Sequence, residues 1–166
     1  MRADGNYPFT LENGKYITQE KRNNSDIHTW QGEANLFHTF HDESTLDVKA
    51  YYFYSERGLP GAVILYNPKA EERLWDENFF TQARYKKTFS PKWTLQAQAK
   101  FNHSWNKYED TDVKYENGKQ TDINRQDEYY LSAAVLYQPV KGLELSLAQD
   151  GFINTLHTNI NDSPNR

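Results

Sequence analysis

The chain has 166 residues, a formal net charge of −4 and a mean hydropathy of −0.97. The acidic balance argues against nucleic-acid binding, and no run of about 18 apolar residues is present to form a transmembrane helix. Because the sequence contains no cysteine, disulfide frameworks and thiolate metal sites are excluded.

The N-terminal residues carry a hairpin signal but no long alternating segment. Asn13-Gly14 lies between two short stretches, at about 8–12 and 15–20. An Asn-Gly pair in this position predicts a type I′ turn between paired strands. The first residues lack the apolar core of a signal peptide, so we expect the chain to be either cytosolic or a part of a longer protein.

Six long segments follow in which apolar and polar residues alternate. They occupy about 27–40, 45–56, 75–89, 93–106, 128–138 and 143–155. In the fourth segment, the odd positions from Trp93 to Trp105 are apolar except His103, and the even positions contain no apolar residue. Since side chains alternate across a strand, the pattern predicts six strands, each with one apolar and one polar face.

The connections between these segments alternate in length. Short ones lie at 41–44, 90–92 and 139–142, and long ones at 57–74 and 107–127. A second Asn-Gly pair, Asn117-Gly118, lies inside 107–127 and predicts a type I′ hairpin that extends the flanking strands. Short turns on one side and long loops on the other are typical of outer-membrane barrels. We therefore predict an all-β fold, an antiparallel up-and-down meander that forms a partial transmembrane β-barrel at 27–157. Residues 1–26 would then be an extracellular loop and hairpin segment, and 158–166 the end of a truncated loop.

The aromatic residues of the apolar faces are predicted to form two girdles. The girdle at the long-loop end contains Trp30, Tyr54, Trp75, Trp105 and Tyr129, and the girdle at the short-turn end contains Phe40, Phe89, Trp93 and Tyr137. Between them the faces carry mostly Ala, Val and Leu, while the polar faces carry mid-strand charges such as Lys49 and Arg84. An apolar band between two aromatic girdles predicts contact with membrane lipid.

A soluble β-sheet ligand-binding domain is the alternative, because alternating sheets are common in soluble proteins. In that case the apolar face would be a core or a ligand cavity, and it would bury all four tryptophans, Trp30, Trp75, Trp93 and Trp105. Six strands are too few for a closed transmembrane barrel, since the smallest have about eight. The membrane hypothesis therefore requires further strands in the parent protein.

Five stretches of sequence carry a family resemblance. They are 55–67 (SERGLPGAVILYN), 73–80 (RLWDENFF), 7–10 (YPFT), 90–93 (SPKW) and 128–134 (EYYLSAA). Together they resemble TonB-dependent outer-membrane receptors of Bacteroidota, in the branch similar to vitamin B12 and siderophore receptors. The resemblance implies that the chain belongs to a bacterial outer-membrane barrel of about 22 strands, closed by an N-terminal plug domain.

The same resemblance implies a function and partners for the parent protein. It would bind and import a large scarce nutrient, a corrinoid or a ferric siderophore-type ligand, by energised transport. Its partners would be outer-membrane lipid, the plug domain of the parent protein, the TonB energy-transducing complex and the small-molecule nutrient, with no nucleic acid among them.

The long connection 57–74 is the best candidate for ligand contact. A turn-forming stretch at 58–61 precedes the apolar run at 62–66, and exposed apolar runs often mark contact sites. The candidate ligand-binding residues are Arg57, Leu59, Ile64, Tyr66 and Asn67. Alternatively, this loop packs inward against the wall of the barrel or the plug.

No pattern indicates catalysis, a metal site or a cofactor. The segment 107–127 is rich in acidic residues, namely Glu109, Asp110, Asp112, Glu116, Asp122 and Asp127. It lacks the spacing of a calcium-binding loop, so we expect a solvated surface loop. The five histidines are scattered, and neither a nucleophile–base motif nor a phosphate loop is present, so an enzyme, such as a carbohydrate-active one, is the least favoured class.

Overall fold

The computed structural model describes residues 1–61, 70–111, 115 and 118–160. These residues form β1 (Arg2–Ala3), β2 (Pro8–Asn13), β3 (Tyr16–Lys21), β4 (Ile27–Thr39), β5 (Thr45–Gly58), β6 (Arg73–Ser90), β7 (Trp93–Asp110), β8 (Gln120–Val140) and β9 (Leu143–Thr158). Within these ranges, no helix has the length and apolar character needed to cross a membrane.

The strands form two antiparallel sheets. In the larger sheet, β4 to β9 pair in chain order, and the short β1 pairs with the start of β4. β2 and β3 form a separate hairpin. The predicted all-β antiparallel meander is therefore confirmed. Among the described residues the large sheet stays open, with β1 and β4 at one edge and β9 at the other.

All six predicted long strands are present, and several are longer than predicted. β7 continues to Asp110 and β8 begins at Gln120, and these two residues are direct partners. Most of 107–127 is therefore strand, in agreement with the strand extension predicted from Asn117-Gly118, whereas the prediction of a long loop is wrong there; Asn117 itself lies outside the described residues. Polar and charged residues occupy both faces of these strand ends, so the apolar–polar alternation stops while the hydrogen-bonded ladder continues.

The predicted N-terminal hairpin is confirmed, but its turn differs from the prediction. Asn13 pairs with Tyr16, so Gly14 and Lys15 are the two connecting residues. Gly14 has a φ of 61°, and Lys15 has no positive φ. A glycine with positive φ in the first connecting position is the type II′ pattern. The type I′ prediction was wrong because the pairing places Asn13 in the strand.

The three short connections are confirmed, and local interactions close them. Between β4 and β5, the N–H and hydroxyl of Ser44 both donate to Asp42 Oδ1, at 3.1 and 2.6 Å. Between β8 and β9, Gly142 adopts a φ of 90°, which a residue with a Cβ rarely adopts. A β-bulge surrounds Pro139 at the end of β8, where the missing N–H does not interrupt the ladder.

Candidate functional site

The register brings the predicted apolar residues onto one face of the large sheet. One row of successive cross-strand partners is Leu36, Val48, Ala83, Ala99, Leu131 and Gly151. Directly opposed residues of an antiparallel pair lie on the same side of the sheet. The apolar faces of β4 to β9 therefore merge into one continuous surface, which we call the apolar face; the opposite side is the polar face.

The apolar face is exposed. Leu131 is 63% exposed, Trp30 is 52% exposed and Trp93 is 45% exposed, and the other two tryptophans are half-buried. Among the described residues, Ala70 is the only buried hydrophobic side chain. The described part of the sheet therefore has no enclosed apolar core.

Aromatic rings form a first row across the apolar face, on the side of the long connections. The ring centroid of Trp30 lies 4.7 Å from that of Tyr52, which is directly opposite Phe79. The Phe101 centroid lies 6.4 Å from Phe79 and 5.0 Å from Tyr129. This row therefore crosses five neighbouring strands, β4 to β8.

The predicted members of the first girdle do not all join this row. Tyr54 is directly opposite Trp30, with the ring centroids 6.4 Å apart. Trp75 and Trp105 lie four residues beyond the row members of their own strands. Lys107 Nζ lies 4.5 Å from the Trp75 ring centroid. Trp75 therefore packs at the charged end of the sheet, outside the first row.

The predicted second girdle lies near the short turns. Trp93 and Tyr137 are direct partners whose rings stack with centroids 4.2 Å apart. Phe40 packs edge-to-face on the His38 ring at 4.5 Å. Phe89 is 62% exposed on the same face. The four predicted aromatic residues therefore form a second row at the short-turn margin of the apolar face.

The first row runs obliquely to the direction of the hydrogen bonds. The line of direct partners that starts at Trp30 passes through Tyr54, Glu77 and Trp105 to Arg125. On β8 the row has instead reached Tyr129, four residues closer to the short turns. The second row shifts in the same direction. His38 on β4 and Ala97 on β7 lie on one line of direct partners. Measured from that line toward the short turns, Phe40 is two residues away and Trp93 is four residues away.

Ion pairs join neighbouring strands on the polar face. Lys49 Nζ lies 2.9 Å from Glu33 Oε2, Arg84 Nη2 lies 2.5 Å from Asp47 Oδ2, and Lys100 Nζ lies 3.6 Å from Glu128 Oε1. Five of the six residues lie within the span of the aromatic rows, and Glu128 lies one residue beyond Tyr129 of the first row. The middle of this face is therefore strongly hydrophilic.

Aromatic residues also lie on this face, among them Phe37, Tyr130 and Phe152, and one aromatic pair contacts the charged side chains. The Tyr51 and Phe80 rings stack with centroids 5.3 Å apart. The ammonium groups of Lys49 and Lys100 each lie 5.9 Å from the Phe80 centroid. This places the Phe80 ring between two ammonium groups, each within the distance of a cation–π contact.

Arg73 ties β5 and β6 to the segment before β4 at the end of the long connections. Its Nη1 and Nη2 donate to Asp26 Oδ1 and Oδ2 at 3.3 and 2.9 Å, and Nη2 also donates to Glu56 Oε1 at 2.9 Å. The hydrogen bonds and the charge of Arg73 lower the pKa of the Asp26 carboxyl below its ordinary value of 3.8. The ionised form of Asp26 therefore stabilises the folded state.

We expect Asp26→Asn to lower the free energy of unfolding at pH 7 by less than about 1 kcal/mol, since the pair is partly exposed. Asp26 has a depressed pKa in the folded state. Its contribution is therefore present above the unfolded value of 3.8 and is lost as the pH falls through the lower folded value. Urea unfolding at pH 7 and in acid below pH 3.8 measures this, with Glu12→Gln on the separate hairpin as the control. A difference between Asp26→Asn and the parent that persists unchanged in acid would contradict the expectation.

Two of the predicted ligand-binding residues lie within the described residues. Arg57 Nη2 donates to Asp76 Oδ2 at 2.9 Å. The Leu59 N–H donates to the Glu72 carbonyl at 2.8 Å, and the Leu59 carbonyl accepts from Asn24 Nδ2 at 3.1 Å. Ile64, Tyr66 and Asn67 lie outside the described residues. The described start of the 57–74 connection is therefore held by neighbouring strands.

The acidic residues of 107–127 lie mostly in strand ends, so the prediction of a solvated loop is wrong for them. Asp110 is buried and accepts a hydrogen bond from the Tyr115 hydroxyl at 2.9 Å, and Asp127 Oδ1 lies 2.6 Å from His103 Nδ1. Asp112 and Glu116 lie outside the described residues. In the part of the chain that is described, no group of three or more His, Asp or Glu side chains could hold a metal ion.

Comparison with protein-family models and with curated proteins finds nothing that matches this chain.

Proposed function

We propose that the chain spans a lipid bilayer as part of an outer-membrane β-barrel, with the apolar face toward lipid and the polar face toward a water-filled interior. The observation that carries this proposal is the exposed apolar face with an aromatic row at each margin, on a sheet whose other face is charged. Transmembrane barrels have an outward apolar band between two aromatic girdles and a polar interior.

The dimensions of the apolar face support this proposal. The two rows are eight residues apart from Tyr129 to Tyr137 and ten residues apart from Trp30 to Phe40. At about 3.3 Å per residue, the rows are about 26–33 Å apart along the strands. Strands tilted by about 40° would reduce this distance to about 20–25 Å across the membrane, close to the apolar band of about 25 Å in known barrels.

The oblique course of the first row supports tilted strands. A shift of four residues across the five strands is about 13 Å along the strands over about 19 Å of sheet width. This corresponds to a tilt of about 35°, and the strands of outer-membrane barrels tilt by about 35–45°.

The sheet edges favour a barrel larger than the described part. Unpaired backbone groups in lipid cost several kcal/mol each, so transmembrane sheets close on themselves. Among the described residues, β9 pairs with β8 alone, and β4 carries only two residues of β1 on its other side. We propose that further strands of a parent barrel pair with both edges.

The family resemblance supports a more specific proposal, a TonB-dependent receptor of the bacterial outer membrane. Its function would be to bind and import a large scarce nutrient, a corrinoid or a ferric siderophore-type ligand, with energy from the TonB complex and without catalysis. The ion-paired polar face, with Tyr51 and Phe80, would form part of the interior wall around the plug.

Folding in lipid tests the membrane proposal. We expect the chain to form its sheet cooperatively in phosphatidylcholine vesicles or detergent, and to aggregate in plain buffer, because the apolar face has no cover in the described residues. Far-UV circular dichroism and sedimentation measure both states. Lipids brominated at the top of the acyl chains should quench the tryptophan fluorescence more strongly than lipids brominated near the chain ends. A monomeric, cooperatively folded chain in plain buffer would favour the soluble ligand-binding domain instead.

The flanking coding sequence tests the receptor proposal separately. We expect an upstream signal peptide and plug domain, and downstream alternating strands that end in an aromatic residue. A start codon and a stop codon that bound this chain, with no barrel strands on either side, would contradict the receptor proposal.

A further inference from the structure

An arginine that makes no salt bridge with any described residue lies on the apolar face just beyond the first aromatic row. Arg125 on β8 is directly opposite Trp105 on β7 and His157 on β9, and both Arg125 and His157 are exposed. The neighbouring carboxylate on this face, Asp127, contacts His103 at 2.6 Å. Among the described residues, Arg125 makes no salt bridge, so its charge is available to an external anion.

The two direct partners of Arg125, Trp105 and His157, carry no negative charge. Lys107 lies two residues beyond Trp105 on β7, further from the first aromatic row. Its Nζ lies 2.9 Å from Glu109 Oε2, and Lys119 Nζ lies 3.3 Å from the same oxygen. That carboxylate is therefore already occupied by two ammonium groups. An arginine beside an imidazole, with both nearby carboxylates engaged, favours a group that accepts several hydrogen bonds, such as phosphate.

An apolar depression lies on the same face, on the membrane side of this cation. It has a volume of about 610 Å³. Most of its lining belongs to the apolar face, including the small residues Ala83, Ala99 and Gly151 and the larger Phe101, Tyr129 and Ile153, and the rest are polar-face positions such as Lys100. Arg125 lies four residues beyond Tyr129 on β8, and His157 lies four residues beyond Ile153 on β9, which is about 13 Å along each strand.

We propose that Arg125 and His157 bind the phosphate of an anionic lipid whose acyl chain occupies this depression. The inference rests on the proposed function, since it requires the apolar face to meet lipid. It goes further in naming one site and one lipid class. Charge complementarity selects the ligand, because a zwitterionic lipid brings its own cation close to Arg125, whereas an anionic lipid brings only the phosphate.

Native mass spectrometry of the chain refolded in detergent tests the site. The probes are phosphatidylglycerol and phosphatidylcholine with identical acyl chains. We expect phosphatidylglycerol to bind more tightly, and Arg125→Gln to weaken its binding about fivefold, the effect of one cation at an anionic lipid surface. Arg125→Lys should retain most of the preference. Arg84→Gln, an arginine change on the polar face, is the matched control and should leave the preference unchanged. Ala99→Phe, which fills the depression, should weaken the binding of both lipids.

The outcomes separate this inference from the proposed function. If Arg125→Gln binds phosphatidylglycerol like the parent, or if Arg84→Gln weakens it equally, the site is refuted while the membrane proposal stands. If the chain folds and inserts but binds both lipids equally, the site is likewise refuted. If the chain folds only as a monomer in plain buffer and binds no lipid, both the site and the membrane proposal fail.

Discussion

An arginine in place of Ala133 should lower the free energy of unfolding in lipid by about 2–4 kcal/mol, the cost of this side chain at the bilayer midplane of a transmembrane barrel. Ala133 lies on the apolar face of β8, midway between Tyr129 and Tyr137 of the two aromatic rows. Its direct partners are Ala97 and Gln149, so no carboxylate is opposite it. Urea unfolding of the chain refolded in vesicles, followed by tryptophan fluorescence, measures the change.

The next residue of the strand supplies a matched control. Ala134→Arg makes the same chemical change on the polar face, where Gln96 and Ala148 are the direct partners. Water in the interior would solvate that guanidinium, so we expect a cost below about 1 kcal/mol, typical of a surface change. Thr155→Arg adds a depth control, since it lies on the apolar face beyond the first row, where the cost falls to about 0–1 kcal/mol. Equal costs at Ala133 and Ala134 would contradict the proposal that the apolar face meets lipid and the polar face meets water.

The sequence was sufficient to predict the six long strands and their faces, because alternation directly reports which side of a strand meets an apolar medium. Alternation alone was insufficient at the strand ends, where the Asn117-Gly118 pair was the only indication that the strands continue. In β7 and β8, residues 107–110 and 120–127 are polar or charged on nearly every position, so alternation gives no signal there. Cross-strand pairing in the ladder, which depends on a distant segment, sets those boundaries.

The members of the first aromatic row also depended on information that one strand does not contain. Trp30 contacts Tyr52 as well as its direct partner Tyr54, and which tyrosine continues the row depends on the shift between neighbouring strands. The same is true on the polar face, where Phe80 lies between Lys49 and Lys100 only because of the register of three strands. The tilt of the strands sets this shift. Tilt is a property of the whole sheet, so the sequence of one strand does not indicate it.

Replacing Gly58 with alanine should be among the most destabilising single-methyl changes in the described chain. Gly58 ends β5, and its N–H donates to the Asp26 carbonyl at 2.9 Å. A Cβ at this position would contact the Asn24 side-chain oxygen and lie 2.5 Å from the Asn24 carbonyl oxygen. Because one of these clashes is with backbone, rotation of a side chain cannot relieve it. We expect a loss of about 1–3 kcal/mol in the free energy of unfolding, the usual cost of overpacking.

Asn24 has little freedom to move away from that methyl group. Its φ is 49°, and its Nδ2 donates to the carbonyls of Leu59 and Glu72 at 3.1 and 2.7 Å. A shift of Asn24 would therefore break the contacts that join both ends of the 57–74 connection. Gly32→Ala is the matched control, because a Cβ at Gly32 meets no atom within 4 Å, and it should be neutral or slightly stabilising. Urea unfolding of both variants in lipid decides the matter. If the two variants have the same stability, Asn24 does not hold this end of the sheet rigid. The ends of the 57–74 connection, the candidate for ligand contact, would then not be fixed by Asn24.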